Sequence, residues 1–215
     1  MNRIFTFIAL IVLFLLQSCL PDKKENKHSK VAVKFKDALI VDSHYTFNEA
    51  IAGSKAPKDI LNQLQLMNVK YYSLDGKIHQ GQILTNKIIA HDLILLFEFI
   101  LYTHFPIAHA IPIVKYQDND DLSMQENNTY SFCYRNASYS KHANGMAIDI
   151  NPFFNPVRWK VGYENRTDKP IGAVNNPEIA GTFYLLHPVV LKFKEFGFRW
   201  GHNFTRNYDD HHFEK

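Results

Sequence analysis

Apolar residues between positions 57 and 83 recur at spacings that predict a helix followed by a β-hairpin. After Pro57 they fall three or four residues apart, as in an amphipathic helix with proline in its first turn. These residues are Ile60, Leu61, Leu64 and Met67. Two further apolar runs, 69–73 and 78–83, flank Asp75-Gly76, a dipeptide that favours a tight turn between antiparallel strands.

The longest predicted helix extends from about Asn86 to His104, where Phe105-Pro106 ends it. Its apolar residues share one helical face: Ile89, Leu93, Leu96, Phe97, Ile100 and Leu101. Charged and polar residues interrupt the apolar run at His91, Asp92 and Glu98. The pattern therefore predicts a helix that packs on a core and does not span a membrane.

The remaining patterns are shorter. Residues 110–116 are expected to be extended, a polar stretch covers 117–129, and 31–41 alternates partly, as in a strand or an extended arm. A second amphipathic helix is predicted at 188–196, with Gly197 as its C-cap, and a strand follows at 198–200. Together these elements predict a single α+β domain with a small antiparallel sheet flanked by helices.

The amino terminus has the pattern of an export signal. Arg3 precedes an apolar run at 4–16, which is shorter than the roughly 20 residues of a membrane-spanning helix, so residues 1–18 are predicted to be a signal peptide. Residues 16–19 resemble a bacterial lipobox, in which Cys19 would carry lipid and begin the mature chain. The alternative is an ordinary signal peptide followed by an incidental cysteine.

Under the lipobox interpretation the chain divides into three parts. Residues 1–18 are the signal peptide, 19–54 are a lipidated tether and extended arm, and 55–215 are the folded domain. The tether begins with a charged segment that has no apolar periodicity. We therefore expect a lipoprotein of the bacterial cell envelope, anchored to the membrane by its lipid and facing the periplasm.

Composition narrows the functional classes. The chain has 215 residues with 46% hydrophobic content, which excludes a disordered chain. Its formal charge is +3, and loss of Arg3 with the leader lowers it to +2, which is too weak to indicate a nucleic-acid partner. With Cys19 lipidated, Cys133 would be the remaining cysteine, so no internal disulfide is expected; we interpret it as a small buried thiol.

Two segments carry candidate metal ligands. In the first, Asn144-Gly145 predicts a turn and 146–150 a strand. Alternation along that strand places Asp149 on one face with Ala147, while its apolar neighbours enter the core. A carboxylate among apolar residues is costly unless it is paired, and a metal ion shared with His142 would satisfy both groups.

The second segment is 209–214, with the sequence Asp-Asp-His-His-Phe-Glu. Imidazole and carboxylate ligands with one open position are what a catalytic zinc ion needs. A further carboxylate beside the metal could take a proton from water. Each segment alone is a weak signal, and their combination in an exported chain predicts a catalytic zinc site.

These residues resemble those of a known family, the zinc-dependent M15 or VanY-like peptidases, which are D-alanyl-D-alanine carboxypeptidases and L-alanyl-D-glutamate endopeptidases. The resemblance is carried by residues 131–135, the pattern Ser140-x-His142-x6-Asp149, residues 196–201, and the pattern Asp209-x-x-His212-Phe-Glu. It extends over roughly 69–215. It implies a Hedgehog/DD-peptidase-like fold and a peptidoglycan stem peptide as substrate.

The resemblance also implies roles for single residues. The implied ligands of one Zn²⁺ ion are His142, Asp149 and His212. Asp209 would be the general base, Arg135 would steady the carbonyl oxygen, and Ser140 would lie near the substrate. His211 matches no ligand position, and strand alternation predicts that it lies on the opposite face from His212.

Three functions remain open from the sequence. The first is a zinc peptidase that acts on cell-wall peptides, in which no single residue decides between a carboxypeptidase and an endopeptidase. The second is a non-catalytic lipoprotein that binds peptidoglycan with the same fold. The third is a histidine–metal nuclease, prompted by His202 and the final histidines, which the weak net charge disfavours. We expect a monomer without a nucleic-acid partner.

Overall fold

A computed structural model describes residues 39–137, 139–163 and 165–215. The predicted signal peptide, Cys19 and most of the predicted arm lie outside these residues, so the proposed boundaries there stay predictions. The described residues form five α-helices: α1 (Phe47–Ala50), α2 (Lys58–Leu61), α3 (Lys87–Tyr102), α4 (Asp120–Gln125) and α5 (Pro188–Glu195).

The described strands are short apart from one hairpin. They are β1 (Ile40–Val41), β2 (Leu64–Tyr72), β3 (Ile78–Asn86), β4 (His109–Ala110), β5 (Asn128–Thr129), β6 (Ala147–Asp149), β7 (Val157–Trp159), β8 (Arg199–Trp200), β9 (Asn207–Asp209) and β10 (His212–Glu214). They pair as two three-stranded sheets, β1-β3-β2 and β6-β10-β8, and two pairs, β4-β5 and β7-β9. The predicted α+β class is confirmed.

The long hairpin is β2 and β3, which pair antiparallel from Leu64 opposite Asn86 to Tyr72 opposite Ile78. The turn contains Gly76 at a φ of +75°, a conformation that glycine adopts without a steric penalty. The predicted hairpin around Asp75-Gly76 is therefore confirmed. β1 adds to the free side of β3 in parallel.

The predicted helix after Pro57 is mostly wrong. Only α2 is helical, and β2 begins at Leu64. Leu64 and Leu66 contact a small cluster that includes Leu84, whereas Met67 faces the main core on the other side of the strand. Apolar residues that were predicted to share one face of a helix therefore lie on the two faces of a strand. This arrangement is stable because pairing with β3 satisfies the backbone hydrogen bonds of β2 and because side chains of other elements cover both of its faces.

The predicted long helix is confirmed as α3. Asn86 is its N-cap, and its side-chain oxygen accepts a hydrogen bond from the backbone of Ile88. The buried residues of α3 lie in the main core, among them Leu93 and Ile100, which are fully buried. Across the part of the chain that the structure describes, no helix has the length and apolar character needed to cross a membrane.

The carboxy-terminal elements complete the core. The predicted helix at 188–196 is α5, which contacts α3, and Gly197 follows it at a φ of +82°. Ile148 of β6, Phe213 of β10 and Trp200 of β8 all enter the same core as α3. One face of the sheet β6-β10-β8 therefore packs on the main core, and the opposite face carries polar side chains.

The prediction of an extended segment at 110–116 is confirmed only at its start. β4 ends at Ala110, and a 3₁₀ helix follows at Ile113–Tyr116. The side chain of Asn128 satisfies both backbone groups of Ile111, accepting from its N–H and donating to its carbonyl. A side-chain amide thus replaces the neighbouring strand that an extended segment would need. The polar stretch that follows contains α4.

Candidate metal centre

The first candidate ligand, His142, is positioned by a tight turn. His142 lies in a 3₁₀ helix, Lys141–Asn144, that ends at Gly145 with a φ of +66°. A Cβ at Gly145 would lie 2.8 Å from the backbone nitrogen of Asn86, so this position requires glycine for its space as well as its conformation. His142 Nδ1 donates to the Ser131 carbonyl at 2.6 Å, which leaves Nε2 to face the site.

The pairing of β6 with β10 delivers the other two ligands. Asp149 lies opposite His212, and Ile148 lies opposite Phe213. Because successive side chains on a strand point to opposite faces, Asp149 and His212 share the polar face while their apolar neighbours enter the core. The predicted orientation of the strand at 146–150 is confirmed.

Three atoms of these residues converge. His142 Nε2 lies 3.1 Å from Asp149 Oδ1 and 3.0 Å from His212 Nδ1, and His212 Nδ1 lies 2.9 Å from Asp149 Oδ1. Tetrahedral zinc with bonds of about 2.0–2.1 Å separates its ligand atoms by roughly 3.3 Å. The donor set and spacing therefore fit a zinc ion after a small expansion. Among the described residues this is the one group of histidine, cysteine and carboxylate side chains arranged to hold a metal.

The ligands lie in a strongly polarised, buried setting. Burial opposes the charged carboxylate of Asp149, yet His142 and His211 hold its pKa well below its usual range. Burial also opposes protonation of His212, but hydrogen bonds to Asp149 and Glu214 raise its pKa to about 10. Without metal, this site therefore favours a charged carboxylate and a protonated imidazole, and a bound metal ion would take the place of that proton.

Glu214 supports His212 from behind, a role that we did not assign from the sequence. Its Oε2 lies 2.9 Å from His212 Nε2, and Arg199 contacts its other oxygen. Burial opposes the charge, but these two partners lower the pKa of Glu214 to about 2. A carboxylate on the outer nitrogen of a ligating histidine fixes the ring and increases its basicity. The available sequence signal was the spacing of two residues on one strand, which puts Glu214 on the face of His212.

Asp209 ends β9, where Val157 of β7 lies opposite it. Its side chain is 18% exposed, while its Oδ1 is buried and has an ion-pair contact with His211 Nε2 at 3.0 Å. Burial and the charge of Asp149 raise the pKa of Asp209 despite the nearby histidines. A carboxyl group with a raised pKa is suited to accept and return a proton.

The predicted orientation of His211 is wrong. Residue 211 lies in the turn between β9 and β10 and not within a strand, so alternation does not apply to it. Its Nε2 lies 3.0 Å from Asp209 Oδ1 and 3.7 Å from Asp149 Oδ2. His211 therefore lies beside the candidate base and on the same side as the ligands.

Arg135 is connected to the candidate ligands only through other described residues, and Ser140 is a neighbour of His142 along the chain. Arg135 Nη2 lies 3.0 Å from Asp120 Oδ2, and the Tyr130 hydroxyl bonds the other oxygen of Asp120. The Tyr130 ring in turn lies against the His142 ring, with 5.2 Å between centroids. Ser140 is buried at the start of the 3₁₀ helix that carries His142. The predicted substrate roles of Arg135 and Ser140 stay predictions.

Cys133 and His202 lie apart from the ligand cluster. Cys133 is a buried free thiol whose pKa burial raises to about 12, in agreement with the prediction that it is a small buried side chain. His202 Nδ1 contacts Asp210 Oδ1 at 2.6 Å, and its ring stacks on Trp200. His202 therefore serves the network around Asp210.

The fold and site together define a small α+β protein with a His-Asp-His centre suited to a catalytic metal and an adjacent carboxylate. Residues 134–215 match the family model described as D-alanyl-D-alanine carboxypeptidase, and this match supports membership of the M15 peptidases. The resemblance seen in the sequence is thereby confirmed, and the match supports a hydrolase. No curated protein and no solved structure matches the chain.

Proposed function

We propose that the protein is a zinc metallopeptidase that hydrolyses peptide bonds of peptidoglycan stem peptides, with a Hedgehog/DD-peptidase-like fold. The observation that carries this proposal is the convergence of His142 Nε2, Asp149 Oδ1 and His212 Nδ1 within 3.1 Å of one another, inside the segment that matches the peptidase family. The bond is either the terminal D-Ala-D-Ala bond or one of the L-Ala-D-Glu type.

Asp209 is the general base in this proposal. Its carboxylate takes a proton from the attacking water and then passes that proton to the amine that leaves. The raised pKa of Asp209 suits both steps, since a carboxyl group that is too acidic would not hold the proton. A bound zinc ion would supply a Lewis acid that polarises the scissile carbonyl and makes water more acidic.

Arg135 stabilises the negative charge that develops on the carbonyl oxygen. Asp120 and Tyr130 connect this guanidinium to the His142 ring, so the cation is held close to the side of the first ligand. A fixed cation aimed at developing charge supplies a large share of catalysis in a buried site. Ser140 contributes a polar group near the substrate.

The alternative is a non-catalytic lipoprotein that binds peptidoglycan with the same fold. Binding alone requires neither a general base nor an oxyanion partner, yet Asp209 and Arg135 are both present with all three ligands. The peptidase is therefore favoured. In either case we propose a monomer in the bacterial envelope, attached to the membrane through lipid on Cys19, facing the periplasm and without a nucleic-acid partner.

Digestion of purified peptidoglycan by the full-length chain tests the proposal. Mass analysis of the products, with and without a chelator, is expected to show cleavage that the chelator abolishes and added zinc restores. Release of D-alanine would identify a carboxypeptidase, and cuts within the stem an endopeptidase. Peptidoglycan binding without any cleavage by zinc-loaded protein would favour the alternative.

A further inference from the structure

His211 is a buried histidine beside the metal centre to which the proposed reaction gives no part. It is 2% exposed, and its Nδ1 lies 2.7 Å from the carbonyl oxygen of Asn155. A carbonyl oxygen only accepts hydrogen bonds, so Nδ1 is the donor. This bond sets the orientation of the ring and directs Nε2 toward Asp209.

The anchor that holds the ring is itself rigid. Asn155 is fully buried, and its side-chain nitrogen donates to the carbonyls of Ile150, Asn151 and Gly181. Its side-chain oxygen accepts from the backbone of Phe183 at 2.6 Å. Asn155 thus ties the loop after β6 to the segment around residues 181–183, and its carbonyl is a fixed point within the core.

The opposite end of the ring meets one oxygen of the base. Nε2 lies 3.0 Å from Asp209 Oδ1, which is buried, whereas the Asp209 side chain as a whole is 18% exposed. The exposed part of the Asp209 side chain therefore lies outside Oδ1. Contact with His211 engages one carboxylate oxygen, Oδ1, and does not involve the other, Oδ2.

We propose that His211 is a positioning residue that holds Asp209 through Oδ1, so that Oδ2 faces the water to be activated. The inference rests on the proposed function, because it assigns Asp209 the role of base. It goes beyond that function because it gives a role to His211, a residue that matches no ligand position of the family. The core supplies the rigidity: Asn155 fixes His211, and His211 fixes Asp209.

Kinetics with two substitutions test this role. His211→Leu is expected to lower kcat about 10- to 100-fold, while KM and zinc content stay as in the wild type, because only the orientation of the base is lost. His211→Gln retains a donor that can reach Asp209 and is expected to recover most of that loss. His79→Leu is a matched control, since His79 also contacts carboxylates, those of Asp42 and Asp75, with a side chain 12% exposed. An unchanged kcat in His211→Leu would overturn the proposal.

A spectroscopic measurement covers the case in which a variant fails to fold or no activity is found. In zinc-loaded protein labelled with ¹⁵N-histidine, Asp209→Asn is expected to shift the Nε2 signal of His211 and to leave the signals of His79 in place. An unshifted His211 signal would contradict the contact. If zinc-loaded wild-type protein cleaves no stem peptide, the proposed function fails, and the ring signal still decides whether His211 holds Asp209.

Discussion

At the scale of single residues, the candidate centre combines three candidate metal ligands with two further carboxylates. Glu214 contacts one of the ligands, and Asp209 lies beside them. His142 is oriented by the Ser131 carbonyl, and His212 by the Glu214 carboxylate. Asp209 lies next to the cluster with one oxygen buried. In the proposed reaction some of these residues hold a metal and Asp209 moves a proton, and substitutions should separate these two functions.

Replacing Asp209, the proposed base, should lower turnover strongly without loss of metal. Asp209→Asn removes the carboxylate but retains the size of the side chain, so we expect normal zinc content and a kcat lowered about 10²- to 10⁴-fold. Steady-state hydrolysis of stem peptides, together with metal analysis of the same sample, checks this. Full activity in the variant would show that Asp209 is not the base.

Replacing the carboxylate behind His212 should act on the metal. Glu214→Gln keeps the shape but loses the charge that makes the His212 ring a better ligand, so zinc affinity is expected to fall about 10- to 100-fold. Competition with a chromophoric chelator measures this change. At saturating zinc, kcat should stay close to wild type, and a loss of kcat with unchanged affinity would contradict the assignment.

At the scale of elements, the turn at Gly145 couples the two halves of the domain. Its carbonyl accepts from the backbone of Asn86 and from the Thr85 hydroxyl, so the turn that carries His142 is fastened to the junction of β3 and α3. A side chain at this position would meet the backbone of Asn86. The first ligand is thus positioned by the end of a hairpin that is distant in sequence.

Substitution of this glycine should be costly. Gly145→Ala combines a positive φ with a backbone clash, and we expect about 3 kcal/mol of destabilisation together with weaker zinc binding. Gly53→Ala is the matched control, because Gly53 has a φ of +78° and no heavy atom within 4 Å of an added Cβ; about 1 kcal/mol is expected there. Urea unfolding of both variants measures the difference, and equal losses would show that the close approach to Asn86 carries no energetic weight.

At the scale of the whole molecule, the polar cluster links stability to pH and to zinc. Without metal, His212 has a pKa of about 10 against an ordinary value of 6.5, so its contribution is complete below pH 6.5 and is lost as pH rises through 10. Glu214 has a pKa of about 2 against 4.5, so its contribution is complete above pH 4.5 and is lost as pH falls through 2. In the metal-free protein these two groups together therefore contribute most to stability between pH 4.5 and 6.5.

Bound zinc should stabilise the protein more as pH rises, in contrast to the metal-free His212, whose contribution to stability falls. Zinc binding displaces the proton of His212, so the metal binds more tightly as pH rises toward 10. The increase in Tm on adding zinc is therefore expected to be larger at pH 8 than at pH 6. Thermal unfolding at fixed zinc concentration checks this, and an equal increase at both values would indicate that His212 is already neutral in the metal-free protein.

Local patterns in the sequence determined the elements whose stabilising contacts are themselves local. The apolar face of α3, the turn at Asp75-Gly76 and the alternation around Asp149 were all predicted, because each reflects a short-range period or a backbone preference. The ligand set His142, Asp149 and His212 was also named from sequence, through spacing and family resemblance, and the structure brings these residues together.

Tertiary structure alone decided the features that depend on partners far along the chain. Leu64 to Met67 form a strand because β3 is present to pair with them, although their spacing suits a helix equally well. His211 faces the site because a turn interrupts the strand, and Asn155, 56 residues earlier, orients its ring. Non-local hydrogen bonds and burial outweigh local periodicity at such positions, so the setting of the base emerges only when the chain is folded.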